Sequence, residues 1–233
     1  MPADVVVVIP ARGGSQRIPG KNIKSFNGQP MISWPISASL ATSSVARVVV
    51  STDSPEIEEI ANSWGAEIPF RRPQQLGNDT AGTAPVIRHA IETLEIGSSQ
   101  SVMCVYPTAA VDSRVLEDAI DRFGSIGDGD KFLISVGRHR SPLERALEPD
   151  PEGFFHLSNS EALHTRTQDL PQRYFDAGKF YLATARSWMT HETMMAKPFV
   201  PYLLPDWASV DIDEPEDWPI AEVLHGAFSV RSR

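Results

Sequence analysis

Five short runs, DVVVVI (4–9), RVVVS (47–51), AEIPF (66–70), VMCVY (102–106) and FLISV (132–136), are apolar almost without interruption. Strict alternation would leave one face of a sheet in water. Continuous apolar runs instead predict strands buried on both faces, as in a parallel sheet covered by helices. The intervening segments have helical patterning. SPEIEEIANSWG offers Ser54 as cap, Pro55 at the first helical position and acids in the first turn. Its apolar stripe is Ile57, Ile60, Ala61 and Trp64, and Gly65 ends it. A second helix starts near Thr83–Pro85 and carries Val86, Ile87, Ala90, Ile91 and Leu94; a third starts at Ser113 and carries Val115, Leu116, Ala119, Ile120 and Phe123. The helix between the first two strands is less regular, and Pro35 should delay or kink its first turn. Strand and helix alternate to about residue 137, which predicts a doubly wound α/β domain.

Beyond that point the alternation stops. Residues 138–175 are polar, rich in Arg, His and Pro, with a hairpin expected around Pro149–Gly153. A strand returns at KFYLA (179–183), a helix is expected near 184–193, and a short strand at SVDID precedes a last helix, PEDWPIAEVLHGAF. The 233 residues therefore predict one domain, 1–233, with 138–175 an arm too polar for a core of its own. Such an arm is expected to pack on a second subunit. The single cysteine, Cys104, sits in an apolar run, which excludes a disulfide framework and reads as a small buried hydrophobe. No apolar stretch approaches the roughly 18 residues of a membrane span. The N-terminus lacks a basic region followed by a small-residue cleavage site. A cytoplasmic protein with no membrane partner is expected.

The net charge of −9 argues against nucleic acid as the main partner. That charge is unevenly spread: residues 5–52 hold no Asp or Glu but include Arg12, Arg17, Lys21, Lys24 and Arg47. This cationic island focuses the field on one place, as a small anion requires. At its centre lies PARGGSQRIPGKNIK (10–24), directly after the first strand, at the edge where such sheets bind ligands. Glycine amides there can cradle phosphate oxygens. Walker A spacing fails, because five residues separate Gly14 from Gly20 and Asn22 follows Lys21. The dinucleotide fingerprint fails too, with adjacent first glycines and a loop filled by Arg and Lys. Fixed cations added to amides suit a site where pyrophosphate is made or released.

The segment Ile9-Pro-Ala-Arg-Gly-Gly-Ser15, continuing through Arg17-Ile-Pro-Gly-Lys-Asn22, resembles the signature of cytidylyltransferases that activate nine-carbon, sialic-acid-like sugars. The resemblance covers nearly the whole chain. It includes Ser51–Asp53, Arg72-Pro73 with Asp79-Thr80-Ala81-Gly82-Thr83, and Asp211-Ile-Asp213. Arg166–Leu170, Asp176-Ala-Gly178 and Phe180-Tyr181 are most similar to the pseudaminic acid branch, as is Tyr106-Pro-Thr108, where acylneuraminate enzymes carry Gln before Pro-Thr. Gln16 stands where the family usually has lysine. The resemblance implies a Rossmann-like three-layer α/β/α nucleotidyltransferase fold, with a mostly parallel mixed sheet and a small dimerisation arm.

It also implies a reaction: CMP passes from CTP to the anomeric hydroxyl of a 2-keto-3-deoxy sugar acid, and pyrophosphate leaves. Arg12 and Lys21 would hold the β- and γ-phosphates, with Ala11, Gly13, Gly14, Ser15 and Asn22 around them and Arg17 and Lys24 at the rim. Asp211 and Asp213, two apart, share a face if SVDID is a strand, and hard carboxylates suit Mg2+ or Mn2+. Glu214, Glu216 and Asp217 suit the start of the last helix instead. Arg71 or Arg72, with Thr80, Ala81 and Thr83, would read the cytosine. Tyr106, Thr108, Gln168, Asp176, Phe180 and Tyr181 are the sugar-site candidates, although KFYLA also reads as an ordinary buried strand. His139 and Arg140 open the arm and are candidates for the sugar carboxylate. A homodimer is implied. A neighbouring reading changes only the sugar, to N-acetylneuraminate or legionaminate. From another class, a nucleotide-sensing protein that keeps the loop without turnover fits Gln16.

Overall fold

The computed structural model describes residues 4–77, 82–127, 129–195 and 199–229. Chain order begins β1 (Val5–Pro10), β2 (Ser25–Phe26), β3 (Gln29–Pro30), α1 (Ser33–Leu40), β4 (Val45–Ser51), α2 (Pro55–Ser63), α3 (Thr83–Thr93), β5 (Ser101–Val105) and α4 (Ser113–Ser125). It continues with β6 (Leu133–Arg138), β7 (Leu147–Pro149), β8 (Phe155–Leu157), β9 (Tyr174–Thr184), α5 (Ala185–Thr190), β10 (Val200–Leu203) and α6 (Asp217–Ser229). Among the described residues the main sheet runs β10-β6-β9-β5-β1-β4. β1 is parallel to β4 and β5, and β10 is parallel to β6. Only β9 runs against its neighbours, β5 and β6.

The continuous apolar strands are wetted on neither face. Val5, Val7 and Ile9 pack with Ile36 of α1, Ile57 of α2 and Leu116 of α4. Val6 and Val8 point the other way, onto Ala84 and Ile87 of α3 and Trp188 of α5. A third cluster joins the β2–β3 hairpin to α6 through Phe26, Met31, Ile212 and Trp218. The start of α2 follows its sequence signal, Ser54 Oγ accepting from the Ile57 amide at 3.4 Å; α4 starts at the expected Ser113 and is capped by Asp112, whose Oδ1 accepts from the Val115 amide at 3.0 Å. Pro35 sits in the first turn of α1, where its missing N–H costs nothing.

Two expected strands change. AEIPF forms only an isolated parallel bridge, with Glu67 exchanging backbone hydrogen bonds with Val48 and Val50. Pro69 has no N–H to carry the ladder further. SVDID pairs with no strand among the described residues, and runs as irregular chain into the turn before α6. Its parity survives without the ladder: Ile212 is buried in the third cluster, while Asp211 and Asp213 face a cleft. The arm is anchored at its base, where Arg138 pairs with Tyr174 and the His139 amide donates to the Arg173 carbonyl at 3.0 Å. It holds the expected hairpin, β7 with β8.

Candidate active site

A cleft of about 610 Å³ lies at the carboxyl ends of β1 and β5. The 10–24 loop forms one wall, and it is pinned at two apolar points, Ala11 and Ile18, both buried. Between them the Gly13 amide donates to Asp53 Oδ1 at 3.0 Å, and Asn22 Nδ2 donates to the Arg12 carbonyl at 2.9 Å. Gly20 has φ +62°, a left-handed conformation that favours glycine and turns the chain so that Lys21 re-enters the cleft. Arg12, Ser15, Gln16, Arg17, Lys21 and Asn22 all line the cavity.

The opposite wall comes from the far end of the chain. Asp211 and Asp213 line the same cavity, and Lys21 Nζ lies 3.3 Å from Asp213 Oδ1. Arg17 reaches Asp213 at 3.0 Å and Glu214 at 3.0 Å. Asp217 accepts the amides of Asp213 and Glu214, at 3.0 and 2.7 Å, and so closes the turn before α6. Although Asp211 opens to the cleft, desolvation lifts its carboxyl above the usual range, with Lys179 opposing the shift. Two hard carboxylates on one wall fit a divalent cation that completes its shell with water and phosphate oxygens. No group of three or more His, Cys, Asp or Glu that could hold a metal ion occurs among the described residues.

Arg72 and Arg71 separate clearly. Arg72 is buried and lines the cleft; its Nε donates to Ser51 Oγ at 3.2 Å, its Nη2 to the Ser51 carbonyl, and burial pulls its guanidinium down to about 10. Arg71 is exposed and does not line the cleft. Thr83, at the start of α3, lines it, whereas Thr80 and Ala81 lie outside the described residues.

At the sugar end, Tyr106 and Thr108 line the cleft. Tyr106 Oη shares a short hydrogen bond with Thr83 Oγ1, and its ring meets Tyr181 edge-on at 5.7 Å. The Tyr181 hydroxyl donates to Asp176 Oδ2 at 2.7 Å. Burial holds both phenols protonated, Tyr106 pushed up to about 12 and Tyr181 higher still. Four sugar-site candidates do not line the cleft. Phe180 is fully buried in the core and Tyr181 nearly so, because both continue the apolar pairing of β9 with β5. Asp176 faces a neighbouring groove with Tyr174 and Phe175, and Gln168 lies exposed on the arm. Lys24 leaves the rim altogether and stacks on Trp218, its Nζ 4.5 Å from the ring centre.

Two residues were not singled out from the sequence. Asp53 fixes the glycine loop through Gly13, and its position in an STD turn at the end of β4 was the available signal. Lys179 is the other. It is 2 % exposed, its Nζ meets no hydrogen-bond partner among the described residues, and burial lowers its ammonium to about 8 against the pull of Asp211. The signal was a lysine inside an apolar strand.

A cationic glycine loop facing a carboxylate pair across one cleft of an α/β sheet defines a nucleotidyltransferase. The chain belongs to the cytidylyltransferase family, whose sequence model, described as cytidylyltransferase, matches residues 6–122. It is 34% identical over 221 residues to the pseudaminic acid cytidylyltransferase of Campylobacter jejuni subsp. jejuni, covering 94% of each chain. It is 32% identical over 240 residues to the CMP-N,N'-diacetyllegionaminic acid synthase of Legionella pneumophila, covering 94% of this chain and 95% of that one. Among solved structures, CMP:2-keto-3-deoxy-manno-octonic acid synthetase complexed with CTP shares the fold, with TM-score 0.69 at 16% identity over 96% of this chain and 99% of that one.

Proposed function

We propose that this cytidylyltransferase transfers CMP from CTP to the anomeric hydroxyl of a nine-carbon sialic-acid-like sugar, with pseudaminic acid the preferred acceptor. The observation that carries the proposal is the juxtaposition of the 10–24 loop with Asp211 and Asp213 in one cleft, Lys21 and Asp213 in contact. The anomeric hydroxyl loses its proton to water as its oxygen attacks the α-phosphorus, the bond to the bridging oxygen breaks, and that bond's electrons leave with pyrophosphate. Little covalent work falls to the protein in such a transfer; positioning and charge neutralisation dominate. Arg12 and Lys21 meet the charge that grows on the leaving pyrophosphate, with Ser15 and the Gly14 amide alongside, while the Gly13 amide is engaged by Asp53 and holds the loop. Asp211 and Asp213 would hold Mg2+ or Mn2+, which when bound draws charge from the phosphate oxygens. Arg72, fixed by Ser51, and Thr83, which also lines the cleft, would meet the base. Tyr106, kept protonated, supplies a neutral donor at the acceptor end.

The sugar preference rests on the Campylobacter relative and on the Tyr106-Pro-Thr108 sequence. The Legionella relative favours legionaminic acid as a second reading. We further propose a homodimer built on the arm, which presents Leu147, Phe154, Phe155 and Leu163 to solvent, and a cytoplasmic setting, where CTP is available. Incubation with CTP, magnesium and each of pseudaminic, legionaminic and N-acetylneuraminic acid, with pyrophosphate as readout, tests the proposal. Fastest release with pseudaminic acid is expected. CTP binding without pyrophosphate release for any of the three would overturn the enzymatic reading.

A further inference from the structure

Lys179 presents a problem of buried charge. It sits on β9 between Gly178, which lines the cleft, and Phe180, which is in the core. The strand bulges here: Ile134 pairs with Tyr181 and Val136 with Asp176, so Ala177–Phe180 stand opposite Ser135 alone. Ser135 Oγ accepts the amides of Lys179 and Phe180 at 3.1 and 3.0 Å, and Gly178 takes φ +57°. The backbone is therefore satisfied at the bulge, yet the side chain it inserts is an ammonium that is 2 % exposed and unpartnered among the described residues. Such a group is costly to bury, and a fold retains it only where something nearby uses its charge. Its chain neighbour Gly178 lines the cleft together with Asp211, Asp213 and Lys21, and the attraction of Asp211 partly offsets the desolvation that lowers the pKa of the ammonium.

Both carboxylates of the candidate cation site are thus answered by cations of the same chain. Asp213 is held by Arg17 and Lys21, whereas Lys179, buried and next in the chain to Gly178, which lines the same cleft as Asp211, is a cation the core does not release. We propose that Lys179 is a positioning residue for Asp211, a fixed positive charge that keeps the carboxylate pair from holding a divalent cation until nucleotide phosphates share it. The triphosphate draws Arg17 and Lys21 away from Asp213 and contributes its own oxygens, and only then does the pair carry enough net negative charge and enough donors. The inference rests on the proposed cytidyl transfer and assigns its cation a partner in binding.

Mn2+ binding, followed by the loss of the free-ion electron paramagnetic resonance signal, tests this without turnover. The parent protein should bind Mn2+ weakly alone and much more tightly with CTP. Lys179→Met, a neutral side chain of similar length, should bind Mn2+ in the absence of CTP more tightly than the parent, by about tenfold or more. Adding Asp211→Asn should abolish that gain. Lys179→Gln provides the same loss of charge if the methionine variant does not fold. Unchanged CTP-free Mn2+ affinity in a folded Lys179 variant overturns the proposal, while CTP-dependent Mn2+ uptake by the parent keeps the transferase reading intact. Failure of CTP to recruit Mn2+ to the parent removes that reading as well.

Discussion

Asp213→Asn separates what a residue does for folding from what it does for the reaction. In the folded chain the Asp213 carboxylate meets Arg17 at 3.0 Å and Lys21 at 3.3 Å, but its side chain is 44% exposed and that of Arg17 is 56% exposed. Ion pairs this open to solvent contribute little each, so their loss should lower Tm only slightly. The turnover cost is of another order. Losing one of the two carboxylates proposed to hold the cation that neutralises the phosphates should cost about 10²–10³ in kcat, the scale of losing one charge-stabilising group. CTP affinity should hold, because Lys21 and Arg17, freed of their carboxylate, remain available to phosphate. Thermal melts, calorimetric CTP titration and pyrophosphate release give the three numbers on one sample. A kcat equal to the parent's would take Asp213 out of the transfer site. A steep fall in Tm would show that the ion pairs carry the local fold.

Three further perturbations probe the framework. Ser135→Ala leaves the buried Lys179 and Phe180 amides without their acceptor and should destabilise by about 1–3 kcal/mol in denaturant titration; an unchanged midpoint would contradict the role given to Ser135. His225 is buried against Phe26 and Trp34, and desolvation lowers its pKa below the ordinary 6.5. Unfolding lets it take up a proton, so its contribution is complete above pH about 6.5 and is lost as pH falls below that value. Melts from pH 8 to 5 should show a Tm decline that His225→Gln flattens; parallel declines would exclude it as the source. Phe154→Ser with Phe155→Ser should shift a dimer to monomer in sedimentation while leaving the far-ultraviolet circular dichroism unchanged, and a parent that sediments as a monomer at micromolar concentration would refute the arm-mediated dimer.

The strands of the sheet were legible because being buried on both faces leaves an unbroken apolar run, and α2 because Ser54, Pro55 and Gly65 mark its ends. The phosphate loop was legible from charge and glycine spacing. What escaped was set by partners distant in sequence. AEIPF has strand composition but only one neighbour, β4, and a proline at the wrong place. β2 and β3 are too short to carry a period. Phe180 and Lys179 are adjacent in one apolar run and both are buried, yet only a bulge measured against β6, not anything local, shows that the ammonium is left inside without a hydrogen-bond partner among the described residues. The choice between Arg71 and Arg72 could not be made by composition; the Ser51 carbonyl at the end of β4 decides which guanidinium turns inward.

The base of the arm carries its own consequence. Residues 139–173 leave the sheet beside the point where they rejoin it, because Arg138 and Tyr174 are paired across β6 and β9. The sheet itself closes that excursion, so lengthening it adds only a slowly growing entropic term. It behaves as a cassette. Grafting the corresponding segment of a relative between Arg138 and Tyr174 should leave the nucleotide half of the protein folded, and the chimera would test whether the proposed subunit pairing travels with the arm, apart from CTP handling.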